Sequence, residues 1–265
     1  MTVPLVLHGR ELWIALSGLD FGEGTVYALQ DVTDEHALEK TRSDFVATAS
    51  HELRTPLAAV YGAIRTLRRD DIELSAADRS TFLEMIELEA LRLARIVEQI
   101  LVAGQLDADA VDLDIGQCDP AEVAAGVIES ASVHAPDGIS LRLEAAATPS
   151  IACDENKLRQ VLANLVDNAI KYSPAGGEVE VRLGSRDGDC VIEVVDRGLG
   201  IPMSERDRIF EKFYRLDPQQ TQGVGGSGLG LYICRELVER MNGRISVDSR
   251  AGGGSRFAVT LPTES

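Results

Sequence analysis

The segment SHELRTPL, residues Ser50–Leu57, lies in the middle of a long helical pattern. The apolar residues around it recur at spacings of three and four, which is typical of a helix with one apolar face: Phe45, Ala49, Leu53, Pro56, Val60, Ile64 and Leu67. We therefore predict a helix over residues 34–68. His51 lies two residues before Leu53, so it points away from the apolar face and is expected to be exposed.

A second helix is predicted after the charged turn RRDDIEL, residues 68–74. Ser75 and Asp78 have the spacing of a capping box, which marks the start of this helix. Its apolar positions again follow a three-four repeat: Leu83, Ile86, Ala90, Leu93, Val97 and Ile100. Two such helices form an antiparallel hairpin. Because one hairpin has a thin core, we expect two chains to pair in a four-helix bundle, which implies a homodimer.

The neighbours of His51 suit nucleophilic chemistry. Glu52 is adjacent and can hold the Nδ1 proton of the imidazole, which leaves Nε2 free as a nucleophile. Thr55 is four residues further on and shares the face of His51. The alternative is an ordinary surface histidine, with Pro56 as a harmless kink in the helix.

A third helix, predicted from Asp154 to Tyr172, separates into an apolar and a polar face. The apolar face carries Leu158, Leu162, Leu165 and Ala169, and the polar face carries Asn164, Asn168, Lys171 and Tyr172. An asparagine oxygen is a hard ligand that suits Mg²⁺, a lysine attracts phosphate, and a tyrosine offers a face to adenine. The alternative is a solvated polar face.

Two glycine-rich turns follow. In VVDRGLGIP, residues 194–202, a strand ends at Asp196. The carboxylate of Asp196 can accept a hydrogen bond from an adenine amino group. Gly198 and Gly200 allow the backbone to approach the base closely. This turn could equally be a plain turn. In GVGGSGLGLYI, residues 223–233, glycine-rich backbone enters a helix predicted over 227–241, where free amides suit phosphate. Between the turns, Phe210 and Phe213 have a spacing that is more typical of a core than of cofactor contacts.

The string SHELRTPL resembles the phosphoacceptor box of bacterial two-component sensor histidine kinases. The resemblance implies that His51 is phosphorylated on its imidazole, that Glu52 is its general base, and that the phosphoryl group passes to an aspartate in the receiver domain of a response regulator. It also implies a phosphatase role in which Thr55 positions the attacking water.

The order of the later segments resembles the N, G1, F and G2 boxes of the histidine-kinase ATP-binding domain, a fold shared with gyrase, Hsp90 and MutL-type ATPases. The resemblance implies that Asn168 coordinates Mg²⁺ with Asn164 in support, that Lys171 meets phosphate and that Tyr172 lies near adenine. Asp196 would bind the adenine amine, and residues 214–227 would form the ATP lid, with Arg215 at the γ-phosphate. The resemblance assigns the remaining lining of the ATP site to Gly198, Gly200, Phe213, Gly226, Gly228, Leu229 and Gly230.

The fold class that we predict is therefore α plus α/β: a helical hairpin that dimerises into a four-helix bundle, followed by an α/β sandwich of the Bergerat type (gyrase, Hsp90, histidine kinase, MutL). We expect a dimerisation and phosphotransfer hairpin over 34–106 and an ATP-binding domain over 111–265. Residues 1–33 read as strands, and the passage from the last of them into a helix resembles the end of a PAS sensor domain.

The composition limits the binding partners and the cellular location that we expect for this chain. The chain has 265 residues and a formal net charge of −17, so it repels nucleic acid at long range, and no nucleic-acid partner is expected. The four cysteines are far apart, which favours reduced thiols over a metal motif. No segment approaches the length of a membrane span. We expect a cytoplasmic protein, or the cytoplasmic part of a longer membrane-bound sensor.

Two rival functions remain. The first is an ATP-driven conformational machine of the gyrase or Hsp90 kind that never phosphorylates itself. The second is a degenerate kinase that binds nucleotide and acts as a scaffold for a regulator. Labelling with ATP discriminates both from a kinase, because only a kinase retains the phosphoryl group on the chain.

Overall fold

A computed structural model describes residues 2–7, 9–22, 24–69, 71–146, 148–216, 227–250 and 253–263, without the side chains of residues 21, 38 and 40–45. The apolar position predicted at Phe45 is therefore outside the described side chains. The chain divides into two compact units, Met1–Arg54 and Thr55–Ser265. No helix in the described ranges has the length and apolar character needed to cross a membrane.

The first unit opens with an antiparallel three-stranded sheet. Its strands are β1 (Thr2–Leu7), β2 (Arg10–Phe21) and β3 (Gly24–Asp31), in that order. Asp31 accepts hydrogen bonds from both the amide and the hydroxyl of Thr33, and the Thr33 hydroxyl accepts one from the amide of Trp13. The strands predicted within residues 1–33 are thus present.

Two long helices follow the sheet: α1 (Thr33–Leu67), which continues through Pro56, and α2 (Ala76–Asp107). The predicted capping box is present, since the Asp78 amide donates to the Ser75 hydroxyl and the Ser75 amide donates to the Asp78 carboxylate, each at 3.1 Å. This arrangement satisfies free amides at the start of α2.

The apolar stripe predicted on α2 is divided within one chain. Ile86, Leu93 and Ile100 are half-buried, whereas Leu83, Ala90 and Val97 are exposed. Ile96, which was not predicted, is buried. No described part of the same chain covers the exposed apolar residues of this helix.

The remaining elements build an α/β sandwich. They are β4 (Gly116–Cys118), α3 (Pro120–His134), β5 (Ile139–Ala145), β6 (Ile151–Cys153), α4 (Glu155–Lys171), β7 (Gly177–Arg186), β8 (Asp189–Val195), α5 (Gly230–Arg240), β9 (Arg244–Ser249) and β10 (Ser255–Leu261). The main sheet has the order β5-β7-β8-β10-β9, in which only β5 and β7 are parallel. The short strands β4 and β6 pair separately.

One face of the main sheet is covered by α3, α4 and α5, with α4 between the other two. The predicted apolar face of α4 is confirmed, because Leu158, Leu162, Leu165 and Ala169 are all buried in the core. The polar face of the same helix is consequently turned away from the sheet. All four cysteines are free and buried.

Helix α5 begins at Gly230, not at Ser227 as predicted. Gly228 has φ +68°, in the left-handed region that a right-handed helix excludes. The three residues Ser227, Gly228 and Leu229 therefore form a turn in front of α5.

Candidate functional site

The phosphoacceptor candidate lies on α1 and is open to solvent. The side chain of His51 is 74% exposed, whereas that of Glu52 is buried. The imidazole Nδ1 and the nearer Glu52 oxygen are 4.0 Å apart, which is longer than a hydrogen bond. The predicted hydrogen bond between Nδ1 of His51 and the Glu52 carboxylate would need a small side-chain movement. Thr55, four residues along the same helix, is also exposed.

The polar face of α4 meets two other segments. The Asn164 amide donates to the carbonyl of Gly230 at 3.3 Å, so this side chain joins α4 to the first residue of α5. Asn168 is half-buried, and its side chain makes no hydrogen bond with the described residues. Near the end of the helix, the Lys171 ammonium lies 5.6 Å from the centroid of the Tyr172 ring. Asn168 is therefore the amide of this face that is open to a ligand.

Asp196 lies at the end of β8 and is buried, with 3% exposure. One carboxylate oxygen, Oδ1, accepts hydrogen bonds from the amides of Gly198 at 2.8 Å and Ser255 at 3.0 Å. Burial raises the pKa of Asp196 above the usual range for aspartate, and the two backbone hydrogen bonds act in the opposite direction. A buried carboxylate held by fixed donors has a defined direction, as recognition of an amino group requires.

Close backbone packing explains the glycines of this turn. A Cβ on Gly198 would lie 2.2 Å from the carbonyl oxygen of Tyr172, and the amide of Leu199 donates to that same oxygen at 3.1 Å. The turn is therefore fastened to the end of α4. Gly200 has φ +75°, which also favours glycine.

Sequence reasoning missed Gly254 and Ser255 as parts of this site. A Cβ on Gly254 would lie 2.2 Å from the carbonyl oxygen of Asp196, and the Ser255 amide donates to the Asp196 side chain. The glycine run before β10 was a signal that could have found them. A run of glycines indicates that the backbone passes close to another segment, but it does not identify that segment.

The two phenylalanines have different surroundings. Phe210 is buried and packs edge-on against Phe257, with 6.4 Å between ring centroids, so it belongs to the core. Phe213 is half-buried and has φ +66°, which is rare for a bulky residue. Its amide donates to the carbonyl of Gly228 at 3.0 Å. This bond joins the segment that holds Phe213 to the turn before α5.

The turn before α5 has its own internal hydrogen bonds. The Leu229 amide donates to the Ser227 hydroxyl at 3.2 Å, and Leu229 itself is buried. A Cβ on Gly228 would lie 2.7 Å from the Phe213 backbone. The predicted site residue Gly226 lies outside the described residues, as does most of the predicted lid over 214–227. Arg215 is exposed, two residues after Phe213.

These residues fit a magnesium nucleotide. The Asn168 amide can supply a hard oxygen ligand, and the glycines at 198, 228 and 254 let neighbouring backbone segments pack closely around Asp196 and the start of α5. Among the described residues, no three His, Cys, Asp or Glu side chains form a metal cluster. A divalent ion would therefore be held by an amide oxygen and by the phosphates of its nucleotide.

Two protein-family models match the chain. Residues 41–109 match the His Kinase A (phospho-acceptor) domain. Residues 153–265 match the histidine kinase-, DNA gyrase B- and HSP90-like ATPase domain. The first match contains His51 and the second contains every nucleotide-site residue named above.

Two curated sensor proteins are similar to most of this chain. The sensor protein kinase WalK of Staphylococcus saprophyticus is 35% identical over 249 residues, which cover 92% of this chain and 40% of WalK. The alginate biosynthesis sensor protein KinB of Pseudomonas aeruginosa is 34% identical over 246 residues, covering 90% of this chain and 40% of KinB. The chain thus spans about two fifths of the length of these relatives.

A solved structure agrees with these relatives. Full-length ShkA, crystallised in complex with AMPPNP, is 33% identical and has a TM-score of 0.60 over 82% of this chain and 45% of ShkA. The order of the elements, the histidine on α1 and the two matched domains lead to one conclusion: the chain belongs to the two-component sensor histidine kinases.

Proposed function

We propose that this chain phosphorylates itself on His51 with Mg-ATP and passes the phosphoryl group to an aspartate of a response regulator. The observation that carries the proposal is an exposed imidazole on α1 in the same chain as a buried carboxylate, Asp196, fixed by glycine-rich backbone. The rival ATP-driven machine needs the second feature alone.

In the nucleotide site, each residue has a distinct task. Asp196 binds the adenine amino group through its carboxylate, Tyr172 and Phe213 flank the base, and Lys171 and Arg215 attract phosphate. Asn168 holds the metal, with Asn164 in support. Bound Mg²⁺ supplies charge that offsets the negative phosphates. The glycines Gly198, Gly200, Gly226, Gly228 and Gly230, with Leu229, give the backbone close access to the nucleotide.

At the acceptor, the His51 Nε2 lone pair forms a bond to the terminal phosphorus of ATP. The bond from that phosphorus to the bridging oxygen breaks at the same time, and ADP leaves. Glu52 takes the Nδ1 proton after closing the present 4.0 Å gap. In the second step, Glu52 returns the proton to Nδ1, and a regulator carboxylate oxygen displaces the neutral imidazole from phosphorus. High exposure of His51 suits both steps, because two different partners must reach it in turn.

The proposal is tested by incubating the chain with γ-labelled ATP and Mg²⁺, beside His51→Gln. We expect a label that is labile in acid, stable in alkali and absent from His51→Gln, since phosphohistidine has this stability pattern. ATP consumed without label on the chain would support the ATP-driven machine. Nucleotide binding with neither label nor turnover would support the scaffold.

We propose in addition that the chain dephosphorylates the regulator, with Thr55 positioning the attacking water. Thr55 is exposed on α1, so a regulator can reach it. Thr55→Ala should lose dephosphorylation of a phosphorylated response regulator and keep labelling of His51. Thr66→Ala is the matched control, because it removes another threonine hydroxyl from the same helix, one that donates to the Gly62 carbonyl. Equal phosphatase rates in the wild type and Thr55→Ala would contradict this role.

We propose that the active form is a homodimer. The support is the uncovered apolar stripe on the helices, whose exposed members are Leu57, Tyr61, Ile64, Leu83, Leu88, Leu91, Val97 and Leu101. Exposed apolar residues that cluster on one surface mark an association site. Leu83→Glu with Val97→Glu should shift the sedimentation coefficient to that of a monomer, whereas Val133→Glu on α3 should not.

The domain organisation that we propose follows from these roles. Residues 34–106 act as the dimerisation and phosphotransfer hairpin, residues 111–265 act as the ATP-binding domain, and residues 1–33 are the end of a sensor module. The chain would act in the cytoplasm. Limited proteolysis should cut between Gly104 and Gly116 if this boundary is right.

A further inference from the structure

The last turns of α2 touch the ATP-binding part of the same unit at several polar contacts. Arg95 pairs with Asp167 at 3.4 Å, and Asp107 accepts hydrogen bonds from Lys212 and Tyr232. One more contact reaches the glycine-rich turn itself, where the Ser227 hydroxyl donates to the side-chain oxygen of Gln99 at 2.8 Å. Gln99 is thus a residue of the hairpin that contacts the proposed phosphate-binding turn.

The bond to Gln99 fixes which way the Ser227 hydroxyl points. Its proton is directed to Gln99, and its oxygen accepts the Leu229 amide at 3.2 Å. Two donors at the start of α5, the Ser227 hydroxyl and the Leu229 amide, are therefore occupied. A phosphate at this turn would need such donors, because the first amides of a helix are its natural anion ligands.

We propose that Gln99 is a positioning residue that weakens triphosphate binding while α2 contacts this turn. The inference rests on the proposed function of the turn as a phosphate site. When the Gln99 contact is broken, the Ser227 hydroxyl is free to donate its proton to phosphate. Because linkage is reciprocal, bound triphosphate in turn weakens the contact between α2 and the turn.

The test measures affinity for a non-hydrolysable ATP analogue, AMPPNP with Mg²⁺, by calorimetry on the full chain. Gln99→Ala and the near-isosteric Gln99→Met should both bind AMPPNP about fivefold more tightly, the usual effect of one hydrogen bond. Glu98→Ala, an exposed neighbour on α2, should bind as the wild type does. Adenosine, which has no phosphate, should show no change in any variant.

A double-variant cycle separates positioning from a general structural effect. If Gln99 acts through Ser227, then Gln99→Ala should have no effect in a Ser227→Ala background. The inference is overturned if the Gln99 variants leave AMPPNP affinity unchanged or weaken it, or if the effect persists without Ser227. It is also overturned if adenosine affinity changes by the same factor. Failure of the wild type to bind AMPPNP would overturn the proposed function as well, whereas normal binding with no Gln99 effect would overturn this inference alone.

Discussion

His51 and Asp196 are the central residues of two regions with opposite surroundings. His51 is 74% exposed on a helix, and its role depends on what can reach it. Asp196 is 3% exposed, and its role depends on backbone that surrounds it on several sides. We infer that the acceptor region can lose its chemistry without losing its fold, whereas most changes in the nucleotide region affect both.

The largest expected effect is that of His51→Gln, which should remove the activity of the acceptor region and leave the nucleotide region unchanged. His51→Gln should abolish labelling by γ-labelled ATP, a loss of more than about a thousandfold, because the nucleophile is absent. Its affinity for AMPPNP should equal that of the wild type. Labelling is measured by autoradiography and affinity by calorimetry, with the exposed His134→Gln as the control that keeps both. A residual label on His51→Gln would place the acceptor elsewhere.

Gly198→Ala should affect fold and binding together. The new Cβ would lie 2.2 Å from the Tyr172 carbonyl oxygen, so the turn must move away from α4. We expect a loss of about 3 kcal/mol in the free energy of unfolding, at the upper end for overpacking, and loss of AMPPNP binding. Gly184→Ala is the matched control, because its Cβ would meet nothing within 4 Å. Unchanged stability of Gly198→Ala by denaturant titration would contradict the packing argument.

Asp196→Asn should divide binding from stability inside the nucleotide region. The asparagine side chain keeps an oxygen that accepts from the Gly198 and Ser255 amides. It also places an NH₂ group where the adenine amine needs an acceptor. The affinity for AMPPNP should therefore fall about a hundredfold. Burial raises the pKa of Asp196, so the folded state is favoured at low pH and this stability is lost as pH rises through the folded pKa. At pH 7 the uncharged asparagine should therefore not lower the melting temperature.

The exposed Asp137→Asn is the control for that prediction and should change neither quantity. A melting temperature of Asp196→Asn well below that of the wild type would show that the carboxylate charge is needed for folding. The argument that Asp196 contributes to the fold through its backbone hydrogen bonds, and not through its charge, would then be wrong.

The smallest effect concerns the hairpin. Ser75→Ala removes the hydroxyl that caps α2 and should cost about 1 kcal/mol of unfolding free energy. AMPPNP affinity should stay the same, because the cap is part of the hairpin and not of the nucleotide site. Thr81→Ala, whose hydroxyl donates to a carbonyl within α2, is the control for loss of a helix hydroxyl. A change in nucleotide affinity would show that the hairpin turn and the nucleotide site are coupled.

Much of the fold was predictable where one segment determines its own structure. The apolar face of α4 and the cap of α2 follow from local periodicity and capping chemistry. The start of α5 was wrong by three residues, because Gly228 is left-handed and joins Phe213. That contact is between distant segments, and no local pattern encodes it.

The site was predictable to the same degree. Side chains with distinctive chemistry, such as His51 and Asp196, could be named from the sequence. Ser255 and Gly254, which contact Asp196, and Gln99, which contacts Ser227, were missed, because each contributes through a contact made only after folding. The stripe on α2 was predicted without this division, because apolar periodicity does not tell which residues face the same chain and which face a second copy.

The central claim is that the exposed imidazole of His51 receives the phosphoryl group held by the buried nucleotide site. The most direct test is tandem mass spectrometry of the full chain after incubation with Mg-ATP, under neutral conditions that preserve phosphohistidine. Our account predicts a mass increase of one phosphoryl group on the peptide that contains Ser50–Leu57, with the fragment ions placing it on His51. A phosphoryl group found on another residue, or an unmodified chain that has consumed ATP, would contradict it.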